Sequence, residues 1–246
     1  MPDLTPRSAF TGLPGRSGRA EGEPGISVRP RDDLALARVI ARKGRSDDLA
    51  AAIRSRYGLD LPLTPKRVEQ GALAAIWSGP GQWLVVAEPN ALPLPLAGEV
   101  GAAPAAPGEG KTHPPEQPSP GRPDGRPTSP ATRERQSEQA GFVRELADAI
   151  STFAAVSDQS DGLAVLRVSG PQARDALIKG VGLDLHPRAF GPGDAAVTVI
   201  AHVGAQLWQL DNRPSYEVAV YRSFAGSLWR WLEASAAEFG CAVEAG

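Results

Sequence analysis

Three histidines, His113, His186 and His202, are the first side chains to ask for chemistry, because imidazole moves protons near neutrality and binds transition metals. None has a partner at metal-ligand spacing, and the chain holds neither an H-E-x-x-H pattern nor a Cys/His cluster. His113 falls in a Pro/Gly-rich stretch and His186 sits beside Pro187. His202 is expected on a strand, as an ordinary pleat residue. The single cysteine, Cys241, excludes an intrachain disulfide and a cysteine-rich zinc site. The glycines give no G-x-G-x-x-G after a strand, no P-loop and no G-x-S-x-G elbow. Gly79-Pro80-Gly81 reads as a hairpin turn, since proline deletes a donor from any loop meant to cradle phosphate. Ser169-Gly170-Pro171, opening a helix, could offer N–H groups to an anion, again with one donor missing at Pro171. The acidic pairs Asp32-Asp33, Asp47-Asp48 and Asp158 with Asp161 suit helix starts and turns. On this reading no catalytic, cofactor-binding or metal-binding residue is assigned to the chain.

The elements that would position any site follow from periodicity. Leu34 to Arg42 is a strand, and Ser46 N-caps a helix with Asp47 and Asp48 in its first turn. Leu49, Ile53 and Tyr57 recur at helical spacing, and Gly58 closes the helix. Gly71 to Trp77 and Trp83 to Ala87 form a hairpin around Ser78-Gly79-Pro80-Gly81. After a second helix bearing Phe142, Leu146 and Ile150 come a short strand at Thr152 to Ser157 and a clear one at Leu163 to Val168. Ala173, Leu177 and Val181 mark the third helix. Ala195 to Val203 and Gln206 to Leu210 are strands turning at Gly204, and Tyr216 to Tyr221 alternates as another. The last helix runs from about Ser223 to Phe239 with Phe224, Leu228, Trp231, Leu232 and Phe239 inward and Trp229 on another, exposed face. Cys241 to Val243 closes the chain as a strand.

An internal repeat organises these elements. Gly58-Leu59-Asp60-Leu61-Pro62 ends one helix, and Gly182-Leu183-Asp184-Leu185-His186-Pro187 ends another. Each is followed by a proline-bearing connection, a glycine, a tryptophan-containing strand pair, a helix and a short strand. The predicted fold is α+β, two tandem β-α-β-β-α-β (ferredoxin-like) units. Residues 1–25 read as a disordered tail, 26–89 with 137–158 as the first unit, and 159–246 as the second. Residues 90–136 are a disordered Pro/Gly-rich insertion without hydrophobic period. Lengthening a connection tenfold costs only about 2 kcal/mol of closure entropy, so a unit tolerates such an insertion.

Composition narrows the partners. The formal net charge of 246 residues is −2 with both signs interspersed, which disfavours nucleic-acid binding. No run of 18 apolar residues suggests a membrane span, and Met1 to Gly25 lacks the apolar region of a secretory signal. One cysteine fits a reducing compartment.

Asp158-Gln159-Ser160-Asp161-Gly162 and the run Leu166-Arg167-Val168-Ser169-Gly170-Pro171-Gln172-Ala173-Arg174 resemble the gamma subunit of heterotetrameric sarcosine oxidase. Gly182 to Phe190, Tyr216-Glu217-Val218 and Arg222-Ser223-Phe224-Ala225 continue the resemblance, and Gly79-Pro80-Gly81-Gln82-Trp83-Leu84 matches more loosely. The serine-glycine-proline start is also similar to the wider folate-binding aminomethyltransferase-like group, which includes the glycine-cleavage T-protein and the N-terminal domain of a tRNA-modifying GTPase.

The resemblance implies a bacterial, cytoplasmic assembly with alpha, beta and delta subunits. That assembly oxidises sarcosine to glycine with hydrogen peroxide, and passes the methyl carbon to tetrahydrofolate or releases formaldehyde. It also implies that FAD, FMN, NAD, folate and zinc belong to the other subunits, so no cofactor residue carries over here. The competing reading is a free-standing folate-binding, aminomethyltransferase-like domain. It would need a carboxylate for the pterin ring, and Glu217 and Asp211 are the candidates.

Overall fold

The computed structural model describes residues 8–19, 21–89 and 130–244. In chain order the strands and helices are β1 (Arg16–Ser17), β2 (Ile26–Pro30), β3 (Ala35–Ala41), α1 (Ser46–Tyr57), β4 (Arg67–Gln70), β5 (Leu73–Gly79) and β6 (Gln82–Ala87). They continue as α2 (Pro130–Ile150), β7 (Ala154–Asp158), β8 (Leu163–Ser169), α3 (Ala173–Leu177), β9 (Ala195–Ile200), β10 (Val203–Asp211), β11 (Ser215–Tyr221), α4 (Ala225–Ala236) and β12 (Cys241–Val243). The protein is a mixed α+β fold. Among the described residues the strands form a seven-stranded sheet, β1-β12-β2-β8-β11-β10-β9, and a five-stranded sheet, β4-β5-β6-β3-β7.

Strand periodicity explains the layering. Along β3, Ala35, Ala37 and Val39 point to one face, where they meet Leu49 and Ile53 of α1 and Phe142, Leu146 and Ile150 of α2. Leu36 points to the other face and, with Leu34, Ala74, Ile76, Leu84 and Val86, packs against Leu163, Val165, Trp208 and Ala219 of the larger sheet. The opposite face of that sheet is covered by Ala173, Ala176 and Leu177 of α3 and Leu228, Trp229 and Leu232 of α4. The order is therefore helices, sheet, sheet, helices, with three apolar cores between four layers.

Several expectations are corrected. The first 25 residues are not all tail: Phe10 is buried in the core, and β1 pairs antiparallel with β12. β2 does not join the sheet of β3. It lies between β12 and β8, parallel to the first and antiparallel to the second, with Ile26 and Val28 fully buried. The boundary expected between residues 25 and 26 thus fails, because a strand pairs wherever two open edges accept its apolar side. α2 begins at Pro130, inside the stretch assigned to the insertion, where proline suits a helix start; residues 90–129 lie outside the described residues.

Local chemistry accounts for the smaller differences. β4 was not anticipated, since Arg67 and Glu69 break the apolar pattern on this outer strand. Arg45, not Ser46, holds the N-cap position of α1, without a side-chain cap; its Nε lies 2.5 Å from Asp48 Oδ2. The β9–β10 turn falls at Ala201 and His202, both with positive φ (46° and 70°), so His202 is a turn residue and not a pleat residue. Arg222–Phe224 forms a 3₁₀ turn ahead of α4, which takes Phe224 out of the helical face and leaves it exposed. The buried stripe is Ala225, Leu228, Trp229, Leu232 and Ala236, so Trp229 is internal and Trp231 only partly buried.

Candidate functional site

Among the described residues, the densest convergence of ionisable groups lies between the two sheets. Register aligns Trp208 on β10, Glu217 on β11, Arg167 on β8 and Arg29 on β2 as consecutive neighbours in one row across the larger sheet. Glu217 is 2% exposed. Its Oε1 accepts from Arg31 Nη1 at 2.6 Å and from Arg167 Nη2 and Nε at 2.7 and 3.0 Å. Its Oε2 accepts from Trp208 Nε1 at 2.9 Å. Arg31 reaches this point because its backbone N–H, just past β2, donates to Val165 O at 2.9 Å.

The Arg31 guanidinium serves three carboxylates. Nε donates to Asp33 Oδ1 at 2.8 Å, and Nη2 donates to both Asp33 and Glu88. Glu88 follows β6, so this cluster ties the smaller sheet to the larger one. Burial alone would lower the Arg31 pKa, but the hydrogen bond to Asp33, the charge of Glu217 and the hydrogen bond to Glu88 outweigh it, and the net shift is upward. Burial would likewise raise the Asp33 carboxyl; hydrogen bonding to Arg31 prevails and holds it below the ordinary carboxylate range.

Beside the cluster is a cavity of about 110 Å³, bounded by Arg67 and Glu69 on β4, Leu73, Ala74 and Ile76 on β5, and Val86, Glu88, Trp208 and Glu217. Sites for drug-sized ligands and cofactors typically enclose about 300–1,000 Å³. A flavin or a pterin with its side chain exceeds this space severalfold.

The residues singled out in sequence do not converge here, Glu217 and Asp33 excepted. His186 lies in a loop, its Nδ1 accepting from the Arg188 N–H at 3.2 Å, and His202 lies on a hairpin tip. Asp211 ends β10. Asp158 Oδ1 accepts the Ser160 N–H at 2.9 Å, the turn role expected of it. At Ser169-Gly170-Pro171 the Gln172 N–H donates to Gly25 O at 3.2 Å, so a carbonyl of the chain occupies the donor considered for an anion. Arg31, Glu88 and Arg167 were missed. The available signal was charge on otherwise apolar strands: Arg167 in LAVLRVS and Glu217 in SYEVAVY, opposite in sign and placed on one face by register.

Comparison with known proteins gives this arrangement a context. The model of the sarcosine oxidase, gamma subunit family matches residues 130–238, which hold α2 through α4 together with Arg167, Trp208 and Glu217. Over that stretch, a little under half of the chain, the sequence is similar to the sarcosine oxidase gamma subunit family. It is 37% identical over 84 residues to the sarcosine oxidase subunit gamma of Corynebacterium sp. (strain P-1), covering 34% of this chain and 41% of that protein. It is 35% identical over 103 residues to the Arthrobacter sp. subunit gamma, covering 42% and 50%. The aligned stretch thus spans two fifths to one half of these gamma subunits.

A solved chain of the heterotetrameric sarcosine oxidase from Corynebacterium sp. U-96, in complex with pyrrole 2-carboxylate, superposes with a TM-score of 0.61 at 22% identity. It covers 89% of this chain and 87% of that one. The glycine cleavage system aminomethyltransferase T from Bartonella henselae superposes at 0.51 and 11% identity, over 91% of this chain and 48% of its own. At these identities the two solved structures show a fold that this chain shares with each of them.

Proposed function

We propose that the chain is a non-catalytic, structural subunit of a heterotetrameric sarcosine oxidase. It would sit with alpha, beta and delta subunits in the bacterial cytoplasm and support conversion of sarcosine to glycine with hydrogen peroxide and formaldehyde or methylene-tetrahydrofolate. FAD, FMN, NAD, folate and zinc would then be carried by the other subunits. The observation that carries this reading is the state of Glu217. Two guanidinium groups and an indole N–H already occupy the carboxylate at the centre of the main ionisable cluster. It is built to join two sheets, with all the guanidinium donors on Oε1 and a single acceptor site left on Oε2. The strand orders β7-β3-β6-β5 and β12-β2-β8-β11-β10 support tandem β-α-β-β-α-β units, with β2 inserted into the second.

Exposed apolar side chains support the subunit role. Val197, Val199, Ile178, Tyr221, Phe224 and Leu63 are each between 45% and 81% exposed, in keeping with a chain whose surface is completed by other polypeptides. The competing role, a free-standing folate-binding domain using Glu217 or Asp211, is disfavoured by the size of the cavity and by the donors on Glu217.

Co-expression of the full chain with the other three candidate subunits is the test. A flavin-yellow complex retaining this chain through moderate salt is expected, together with no heat of tetrahydrofolate binding to the chain alone. A chain that stays monomeric and ignores those subunits, or binds tetrahydrofolate at micromolar concentration, refutes the proposal.

A further inference from the structure

The cavity between the sheets is too small for a cofactor, but its walls leave specific polar capacity unused. β4 and β5 are in register with Arg67 opposite Ile76 and Glu69 opposite Ala74, and β5 and β6 place Ala74 opposite Val86. Arg67, Glu69, Ala74, Ile76 and Val86 therefore project from one face of the smaller sheet, towards Trp208 and Glu217 of the larger.

Arg67 commits Nη1 to Glu69 at 2.5 Å, and no described residue meets its Nε and Nη2. At the other end Glu88 gives one oxygen to Arg31, while its Oε1 is 3.7 Å from Arg167, beyond hydrogen-bond distance. Glu217 Oε2 accepts only the indole N–H, and a carboxylate oxygen has two acceptor sites. Glu88 and Glu217 are both held by the fork of Arg31, and both line the same cavity. One cavity thus offers a guanidinium edge, two carboxylate acceptors, an indole ring and an aliphatic floor.

We infer that this cavity binds a small zwitterion of amino-acid size, its carboxylate on Arg67 and its ammonium between Glu88 and Glu217 beside Trp208. Planar guanidinium suits a carboxylate in a two-point contact, and an ammonium supplies three donors to acceptors flanking an aromatic ring. A cavity of about 110 Å³ admits a molecule well below drug size. A simple anion would meet Glu88 and Glu217 as well as Arg67, and a simple cation would face Arg67. The site asks for both charges on one molecule. This inference does not depend on assembly with other subunits.

Glycine, acetate and methylammonium are the probes, added to the full chain up to tens of millimolar and followed by thermal unfolding and calorimetry. Glycine is expected to bind in the millimolar range and raise the melting temperature, with acetate and methylammonium each at least tenfold weaker. Arg67→Met should weaken glycine at least tenfold. Glu69→Gln, at a side chain that is 64% exposed, releases Arg67 from its ion pair and should strengthen glycine binding severalfold while leaving the fold intact. No binding of glycine, equal binding of all three probes, or a Glu69→Gln variant that binds no better than the parent chain overturns the inference.

Discussion

Trp208 and Glu217 face each other across β10 and β11, and the indole Nε1–H lies 2.9 Å from Glu217 Oε2, with both residues at or below 2% exposure. The contact leaves Glu217 Oε1 to the two arginines and adds a donor on the second oxygen of a charge that would otherwise be prohibitively costly between two apolar sheets. Trp83 makes the corresponding choice in the smaller sheet, donating its Nε1–H to Pro62 O at 2.8 Å, a neutral partner in a site with no charge to neutralise.

Glu217→Gln keeps the shape and removes the charge, leaving Arg31 buried with less compensation. A loss of about 3–5 kcal/mol in urea-unfolding free energy is expected, the range for breaking a buried ion pair. Trp208→Phe, which strips a single donor from Oε2, should cost about 1–3 kcal/mol from the hydrogen bond. Near-neutral Glu217→Gln would show that solvent reaches the cluster.

Asp33 makes stability pH-dependent in a definite direction. Its folded pKa is depressed, so its contribution is fully present above the unfolded value of about 3.9 and is lost as pH falls through the lower folded value. Thermal unfolding measured from pH 6 downwards should show the loss beginning near pH 4. Asp33→Asn should unfold at lower temperature at pH 6 and show a shallower acid slope. An unchanged slope would remove Asp33 from the network.

Gly180 is required by a neighbour. A Cβ at this position would lie 2.5 Å from Trp231 Cζ2, well inside van der Waals contact. Gly180→Ala should cost about 1–3 kcal/mol as the indole is displaced, with a shift in tryptophan emission. In Trp231→Ala the added cost of Gly180→Ala should fall towards zero, and strictly additive losses would refute the contact.

The β9–β10 hairpin has two non-glycine residues with positive φ at its tip, the backbone that Asn-Gly favours. His202→Gly should raise stability by about 1 kcal/mol, since a left-handed conformation costs an ordinary L-residue about 1–2 kcal/mol. A lower melting temperature would mean that the imidazole makes a compensating contact.

The amino-acid sequence by itself determined the local elements and carried the likeness to sarcosine oxidase gamma subunits. Gly58 has φ of 65° and ends α1, as its place after Tyr57 demands; Leu163 to Val168 is a short, nearly continuous apolar run and Tyr216 to Tyr221 an alternating one, and both are strands. The repeated Gly-Leu-Asp-Leu was legible too, with Leu59 and Leu185 buried in different cores; only Gly58, not Gly182, adopts positive φ. Tertiary structure decided the rest. β2 enters the larger sheet because the open edges of β12 and β8 accept it, a pairing more than a hundred residues away in sequence. The cluster of Arg31, Glu88, Arg167 and Glu217 likewise joins four separate segments. Each residue looked like an isolated charge in its own strand or loop, and only the packing of two sheets made desolvation expensive enough for them to find one another.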